Sequence, residues 1–343
     1  MFGPGLHPRR LALLIDAAIT RCKLDLTGAV VLTEAATGAY VVTPVIAALA
    51  GAKGVFAYAH SSRFGSASEA TRQTLEVADN LSVSNRIEVI TEKTEQITAR
   101  ADIVTNSGHL RPIDSRFIGW MKATAVIPLM YETWEFRPTD VDLEACRARG
   151  IRTAGTDERS PSVDVFSYLG IMATKLLLDA GLAVRGNRIL CLCDNPFASF
   201  IERGLVGAGA TVDVVESLRA EEGRGRYDAV LVALEPSGAL VFTTAEAAAI
   251  ARSSPGVVVV QFWGDIDRDC LALHDVPVWP EDAPEAGHMG ILPSDVGPEP
   301  VVRLQAAGLK VGEMLWRGQS AEVTKLSACR AAGPIECIGS VGG

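Results

Sequence analysis

Short apolar runs alternate along this chain with segments of helical period. Ala29–Leu32, Gly54–Ala59, Ile87–Ile90, Ile103–Thr105 and Ala125–Leu129 are near-continuous in apolar residues. Strands buried on both faces read this way, whereas half-exposed strands alternate. Between them, Val42–Ala50, Ala67–Asn80, Thr94–Ala99 and Asp114–Met121 carry apolar residues at helical spacing. Strand and helix in turn predict a parallel sheet with helices on its faces. Asp140–Gly150 predicts a further helix and Ile151–Thr153 a short strand.

A long, largely apolar stretch follows. Ser160–Ala183 predicts one helix, with Ser160-Pro161 suited to its start. A second unit then predicts strands at Ile189–Cys193, Thr211–Val215, Ala229–Ala233 and Val257–Phe262, with a helix at Thr244–Arg252. Pro277–Pro298 reads as a Pro/Gly-rich loop, and Glu299–Arg317 as the last helix. The expected class is α/β, with two doubly wound parallel-sheet domains joined by long helices. One domain is expected over residues 1–158 plus 294–330, the other over 159–293, with a loose tail at 331–343.

Composition narrows the function classes. With 343 residues, 48% hydrophobic and 21% charged, the chain has material for two cores. A net charge of -9 argues against broad nucleic-acid binding, which needs Lys and Arg facing phosphates. Seven scattered cysteines suggest reduced thiols in a cytoplasmic protein. Cys191 and Cys193 read as buried thiols, since no second pair or nearby His completes a metal set. Cys329 and Cys337 lie in a Gly-rich tail, where the reading is an exposed pair without chemistry. The N-terminal MFGPGLHPRRLALLIDAAITRC reads as an amphipathic helix, not a signal peptide, and no membrane span is expected.

The candidate chemistry begins at Arg188–Ser217, RILCLCDNPFASFIERGLVGAGATVDVVES. Strand, turn, helix and second strand outline a dinucleotide-binding unit, with Glu216 placed to hydrogen-bond a ribose. The turn, however, reads Cys193-Asp194-Asn195-Pro196-Phe197-Ala198, where the phosphate-binding pattern has glycine at its first, third and sixth positions. Only Ala198 is small. Asn195 blocks close approach of a pyrophosphate, and Asp194 adds negative charge beside it. NAD is the cofactor expected, bound weakly through Asp194, Asn195, Ala198 and Glu216. Glu216 favours NAD over NADP by repelling a 2′-phosphate.

The order of elements resembles the D-isomer-specific 2-hydroxyacid dehydrogenases from about Ala101 to Arg317, and more loosely before that. The best local match is DVDLEACRARGIRTAGTDERSPSVDVFSYLGIMATKLL, Asp140 to Leu177. LVALEPSGALVFTTAEAAAIARSSPGVVVVQFWGDID resembles the family's fourth and fifth strand region, and GHMG, Gly287 to Gly290, falls where the family carries its catalytic histidine. The resemblance implies a flavodoxin-like substrate domain at residues 1–158 plus 294–330 and a Rossmann-like domain at 159–293. It also implies an oxidoreductase with a small-molecule ligand in an interdomain cleft. In the family the helix matching Ser160–Ala183 lies at a subunit interface, so a homodimer is expected. The chain departs from the family where chemistry would occur. Phe262-Trp263-Gly264 stands at the family's arginine, and Leu129-Met130-Tyr131-Glu132 replaces its Gly-rich carboxylate cradle. Non-redox chemistry, or a silent partner subunit that has lost the cofactor, is the alternative.

His288 is the expected general acid/base, with Asp265 or Glu132 as its partner. Arg111 and Arg137 are candidate anion contacts. Tyr131 and Trp134, in PLMYETWEFRP after a predicted strand, are candidate walls of a substrate site. Trp263 and His109 follow other strand ends and join them, while Asp267 reads as a helix cap. Thr37 in the Thr33–Gly38 turn also reads as a cap, as do Ser61 and Ser62.

Overall fold

In the computed structural model, which describes residues 3–218 and 225–319, the chain forms two compact units. The first comprises the described residues up to Val165 together with those from Gly297, and the second is Phe166–Val296. Cys329, Cys337 and the expected tail lie outside the described residues.

In the first unit the elements are α1 (Pro8–Cys22), β1 (Val30–Ala35), α2 (Val42–Leu49), β2 (Gly54–Ala59), α3 (Ala67–Asn80) and β3 (Ile87–Ile90). The chain continues through α4 (Glu95–Thr98), β4 (Ile103–Val104), α5 (Ser115–Trp120), β5 (Val126–Pro128), α6 (Leu143–Arg149) and β6 (Arg152–Ala154). The six strands lie parallel in the order β3-β2-β1-β4-β5-β6. β1 and β2 are buried over almost their whole length, which is why both read as unbroken apolar runs. Caps fix the helix starts: Ser66, Thr94, Asp114 and Asp142 each accept a backbone N–H from the first turn.

The second unit contains α7 (Leu169–Asp179), β7 (Arg188–Leu192), α8 (Ala198–Gly207), β8 (Thr211–Val215) and β9 (Ala229–Ala233). It is completed by α9 (Thr244–Ser253), β10 (Val258–Trp263), α10 (Arg268–Ala272) and β11 (Val278–Trp279). Its order is β11-β10-β9-β7-β8, again all parallel. The last helix, α11 (Pro298–Trp316), returns to the first unit and packs on α1, α2 and β5.

Strand order distributes the two topologies differently from the sequence expectation. The first unit, expected to be flavodoxin-like, has the 3-2-1-4-5-6 order of dinucleotide domains, and the second has the 2-1-3-4-5 order of flavodoxin. Local patterning carries no information on which edge a strand joins.

The expected helix over Ser160–Ala183 is shorter. Residues 160–165 form turns, a 3-10 turn follows at Phe166–Tyr168, and α7 has 11 residues. Asp164 adopts a left-handed conformation at φ 55°, which ends helical propagation. Its carboxylate meets Arg303 at 2.9 Å and Arg21 at 3.4 Å, so charges distant in sequence hold it there. α7 belongs to the second unit and α11 to the first. α7 crosses α8 at Gly170 and Gly204, where a Cβ on Gly170 would lie 2.7 Å from the Gly204 Cα. Ile171 and Leu178 on α7 stay exposed. Among the described residues no helix is long and apolar enough to cross a membrane.

Candidate functional site

Open α/β sheets bind ligands beyond the carboxyl ends of their strands, where the order reverses. In the first unit that point lies between β1 and β4. Glu34, next to last in β1, is buried, and its Oε2 accepts the His109 backbone N–H at 3.0 Å. Burial raises the Glu34 carboxyl above its ordinary pKa, against the opposing pull of that N–H and of the His109 and Arg111 charges. His109 Nδ1 lies 3.0 Å from the Ala35 carbonyl oxygen, which can only accept. Nδ1 is therefore the donor in this contact, which leaves Nε2 as the ring nitrogen not held by the backbone. His60, just past β2, meets the His109 ring edge-on at 6.2 Å between centroids.

Beside this lies a second charged group. Arg111 Nη1 donates to Asp140 Oδ2 at 3.2 Å, and the Tyr131 hydroxyl donates to the same oxygen at 2.5 Å. Burial and the Asp140 carboxylate together push the Tyr131 phenol well above its ordinary range. Arg111, expected as an anion contact, thus already holds a buried carboxylate.

Beyond β5 and β6, Glu132 accepts the Trp134 indole at 2.6 Å and the Glu158 backbone N–H at 3.2 Å. Burial raises Glu132, lifts Glu135 to about 7 and puts Glu158 well above the usual carboxyl value. Trp134 is partly exposed, and Arg137 is exposed. Glu34, Asp140 and Glu158 were not among the sequence candidates. Glu34 follows an apolar run, a pattern that ordinary surface acids share, and Asp140 and Glu158 stand in polar segments that carry no signal.

In the second unit the reversal lies between β7 and β9, and the rebuilt turn spans it. Asn195 Nδ2 donates to the Ala233 carbonyl at 2.7 Å and to Asp194 Oδ1 at 3.1 Å, while its Oδ1 accepts Phe197 N–H at 3.1 Å. Asp194 Oδ1 accepts the Glu235 N–H at 2.9 Å. Side chains thus tie the end of β7 to the end of β9, across the crevice a pyrophosphate would enter. Glu216 sits exposed directly after β8, a position that fits a ribose; the turn does not fit a pyrophosphate. Ala198 opens α8. Cys191 and Cys193 are buried, and burial raises both thiols, Cys193 to about 11.

His288 lies half-exposed in a loop, with Nδ1 3.2 Å from the Ala286 carbonyl and Nε2 3.8 Å from Glu285 Oε2. Its acidic neighbour is therefore Glu285. Asp265, the expected partner, instead accepts the Gly287 backbone N–H at 3.0 Å and so shapes the loop. Trp263, expected in a substrate wall, is buried in the core against Phe197. Its indole donates to the Gly287 carbonyl at 3.2 Å. An aromatic at a strand end has the same sequence signature whether it turns outward or inward. Asp267 caps α10. Thr37 does not cap: its hydroxyl donates to the Phe64 carbonyl, and Gln73 accepts the Gly38 N–H. Ser66 is the N-cap of α3, and the Ser61 hydroxyl also accepts the N–H of its first residue, Ala67, at 3.0 Å, whereas Ser62 accepts the Phe64 N–H.

No protein-family model matches the chain, and no curated protein sequence matches it. Among solved structures, a dipicolinate synthase component from Bacillus halodurans is similar at a TM-score of 0.52 and 11% identity, over 88% of this chain and 99% of that one. The corresponding dipicolinate synthase structure from Bacillus subtilis gives 0.53 and 10%, with the same coverage. NAD-dependent formate dehydrogenase from Staphylococcus aureus, in complex with NAD, gives 0.50 and 12%, over 84% of this chain and 94% of that one. The fold is a divergent version of the two-unit, 2-hydroxyacid dehydrogenase-like scaffold.

Proposed function

We propose that the protein is a small-molecule enzyme of the oxidoreductase-like kind, which binds NAD(H) weakly and transfers protons through histidines set beside carboxylates. The observation that carries this reading is the His109–Glu34 pair at the switch point of the first unit. A backbone carbonyl holds the imidazole, and a buried carboxyl stands 4.0 Å from Nδ1. His288, with Glu285 at 3.8 Å, is the matching pair in the second unit. The similarity to a dehydrogenase solved with NAD and the position of Glu216 support the cofactor. A second reading, non-redox acid–base chemistry at His109, is favoured by the side-chain bridge from Asn195 to Ala233.

Calorimetric titration with NAD(H) tests the first reading, and turnover of a substrate found by metabolite screening tests the role of His288. Saturable binding weaker than low micromolar is expected, together with a loss of about 10²–10⁴-fold in turnover for His288→Asn. Low-micromolar or tighter binding would show that the turn opens for a pyrophosphate. Absence of binding would pass the site to the non-redox reading, and unchanged turnover would remove His288 from the chemistry.

A further inference from the structure

A peptide group is planar, so holding its N–H also fixes the direction of its C=O. Two successive peptides beside His288 are held at both ends. The Gly287 N–H donates to Asp265 Oδ1 at 3.0 Å, and the carbonyl of that same peptide, Ala286 C=O, lies 3.2 Å from His288 Nδ1. In the next peptide the Gly287 carbonyl accepts the Trp263 indole N–H at 3.2 Å, and the His288 N–H donates to the Glu285 carbonyl at 2.8 Å. All four polar ends are thus engaged. A carbonyl can only accept, so Nδ1 is the donor to Ala286. Nε2 is the nitrogen left to the half-exposed side, and Glu285 Oε2, at 3.8 Å, is too far from it for a hydrogen bond.

The anchors are themselves fixed. Trp263 is the last residue of β10 and is buried against Phe197. Asp265 follows two residues later, where its own carbonyl accepts the Val241 N–H at 2.8 Å. Beyond the histidine the loop returns to the same strand: Gly290 N–H donates to the Phe262 carbonyl at 2.9 Å, and a Cβ on Gly290 would collide with the Gln261 carbonyl. Before it, Arg268 joins Gln261 Oε1 at 2.7 Å to the Pro280 carbonyl at 2.8 Å. Gly287 has a left-handed φ of 75°, which suits glycine. Surface loops are ordinarily the mobile parts of a fold, whereas this one is bonded to β10 on both sides of its histidine.

We propose that Asp265 is a positioning residue for His288 that acts through the Ala286–Gly287 peptide instead of by direct contact, with Trp263 holding the next peptide in place. The proposal rests on the reading of His288 as an acid–base group. A carboxylate bonded to the N–H end polarises the peptide, and its carbonyl becomes a stronger acceptor for Nδ1–H. The ring is then held in one orientation, and Nε2 is the atom that takes and returns a proton. Proton transfer needs the imidazole within hydrogen-bond reach of the reacting atom, and a misplacement of about 1 Å costs about 10²-fold in rate. An aspartate two bonds removed from the ring therefore supplies what a directly paired aspartate would.

The test follows the full chain, ¹⁵N-labelled at histidine and glycine, by NMR in alkaline solution, where imidazoles are neutral. His288→Asn assigns the ring signals, and hydrogen exchange at Gly287 is read separately near neutrality. The wild type is expected to carry the ring proton on Nδ1 and to protect the Gly287 N–H. In Asp265→Ala that N–H should exchange about fivefold faster, as the loss of one hydrogen bond implies, and the proton should spread over both ring nitrogens. Asp265→Asn keeps an accepting oxygen without the charge, so its spectrum should lie between the two. Trp263→Phe keeps an aromatic ring in the core and should shift the imidazole in the same direction by less. A wild-type ring protonated mainly on Nε2, or one tautomer ratio shared by wild type and Asp265→Ala whatever their Tm, would overturn the proposal. So would an Asp265→Asn spectrum no closer to wild type than that of Asp265→Ala. These readouts need no substrate, so they stand apart from the turnover of His288→Asn, which tests the acid–base reading itself.

Discussion

The carboxyl ends of the two sheets handle polarity in opposite ways. In the first unit, Glu34, Asp140, Glu132 and Glu158 are buried there, each met by a neighbouring N–H, hydroxyl or guanidinium group. In the second, the turn closes on itself through the Asn195 amide, and Trp263 and Phe197 pack beneath it. Buried ionisable groups carry a desolvation cost that only a specific geometry offsets, and they titrate readily when that geometry changes. An amide-closed turn over aromatic packing carries no such charge. Buried ionisable groups are thereby gathered at the strand ends of the first unit, and amide closure over aromatic packing at those of the second.

The largest expected effect tests the packing side. Gly204→Ala places a methyl against the Gly170 backbone, which no side-chain rotation can relieve. Destabilisation of about 3 kcal/mol is expected, the upper end of overpacking costs. Hydrogen exchange should show protection lost in β7 to β10 and kept in β1 and β2; equal loss in both sheets would erase the contrast.

Next comes Asp140→Ala, which leaves Arg111 and Tyr131 without their common acceptor. Breaking a buried pair costs about 3–5 kcal/mol, but Arg111 keeps 30% of its side chain in water, so about 2 kcal/mol is expected. Chemical denaturation checks it, and a loss below about 0.5 kcal/mol would place Asp140 among ordinary surface acids.

The smallest effect sharpens the comparison. Asn195→Gly removes the bridge to Ala233 and should cost about 1 kcal/mol of stability. It also frees the Phe197 backbone N–H for a phosphate, and about tenfold tighter NAD(H) is expected, equivalent to about 1.4 kcal/mol. Unchanged affinity by calorimetry would show that the side chain is not what excludes the dinucleotide.

Much of this architecture was legible because strands buried on both faces must be apolar throughout. β1, β2, β7, β9 and β10 announce themselves in this way, and the Asn195 turn stands out against the glycine pattern expected there. The short β11 lay hidden in what reads as a Pro/Gly loop, since two residues carry no period. Tertiary terms set the remainder. Asp164 leaves the helical conformation because Arg21 and Arg303 hold its carboxylate, a relation no local window contains. Glu158 and Asp140 matter because of what they meet across other strands, and Trp263 turns inward because Phe197 awaits it.

The Asn195 bridge has a bearing on how the protein's abundance would respond to its surroundings. A glycine-rich turn leaves donors that only a bound phosphate satisfies, so folding is coupled to ligand supply by mass action. Here the Asn195 amide oxygen already accepts the Phe197 N–H, while its nitrogen donates to the Ala233 carbonyl and the Asp194 carboxylate. The second unit is complete on its own terms, and its folded fraction is largely insulated from swings in the dinucleotide pool.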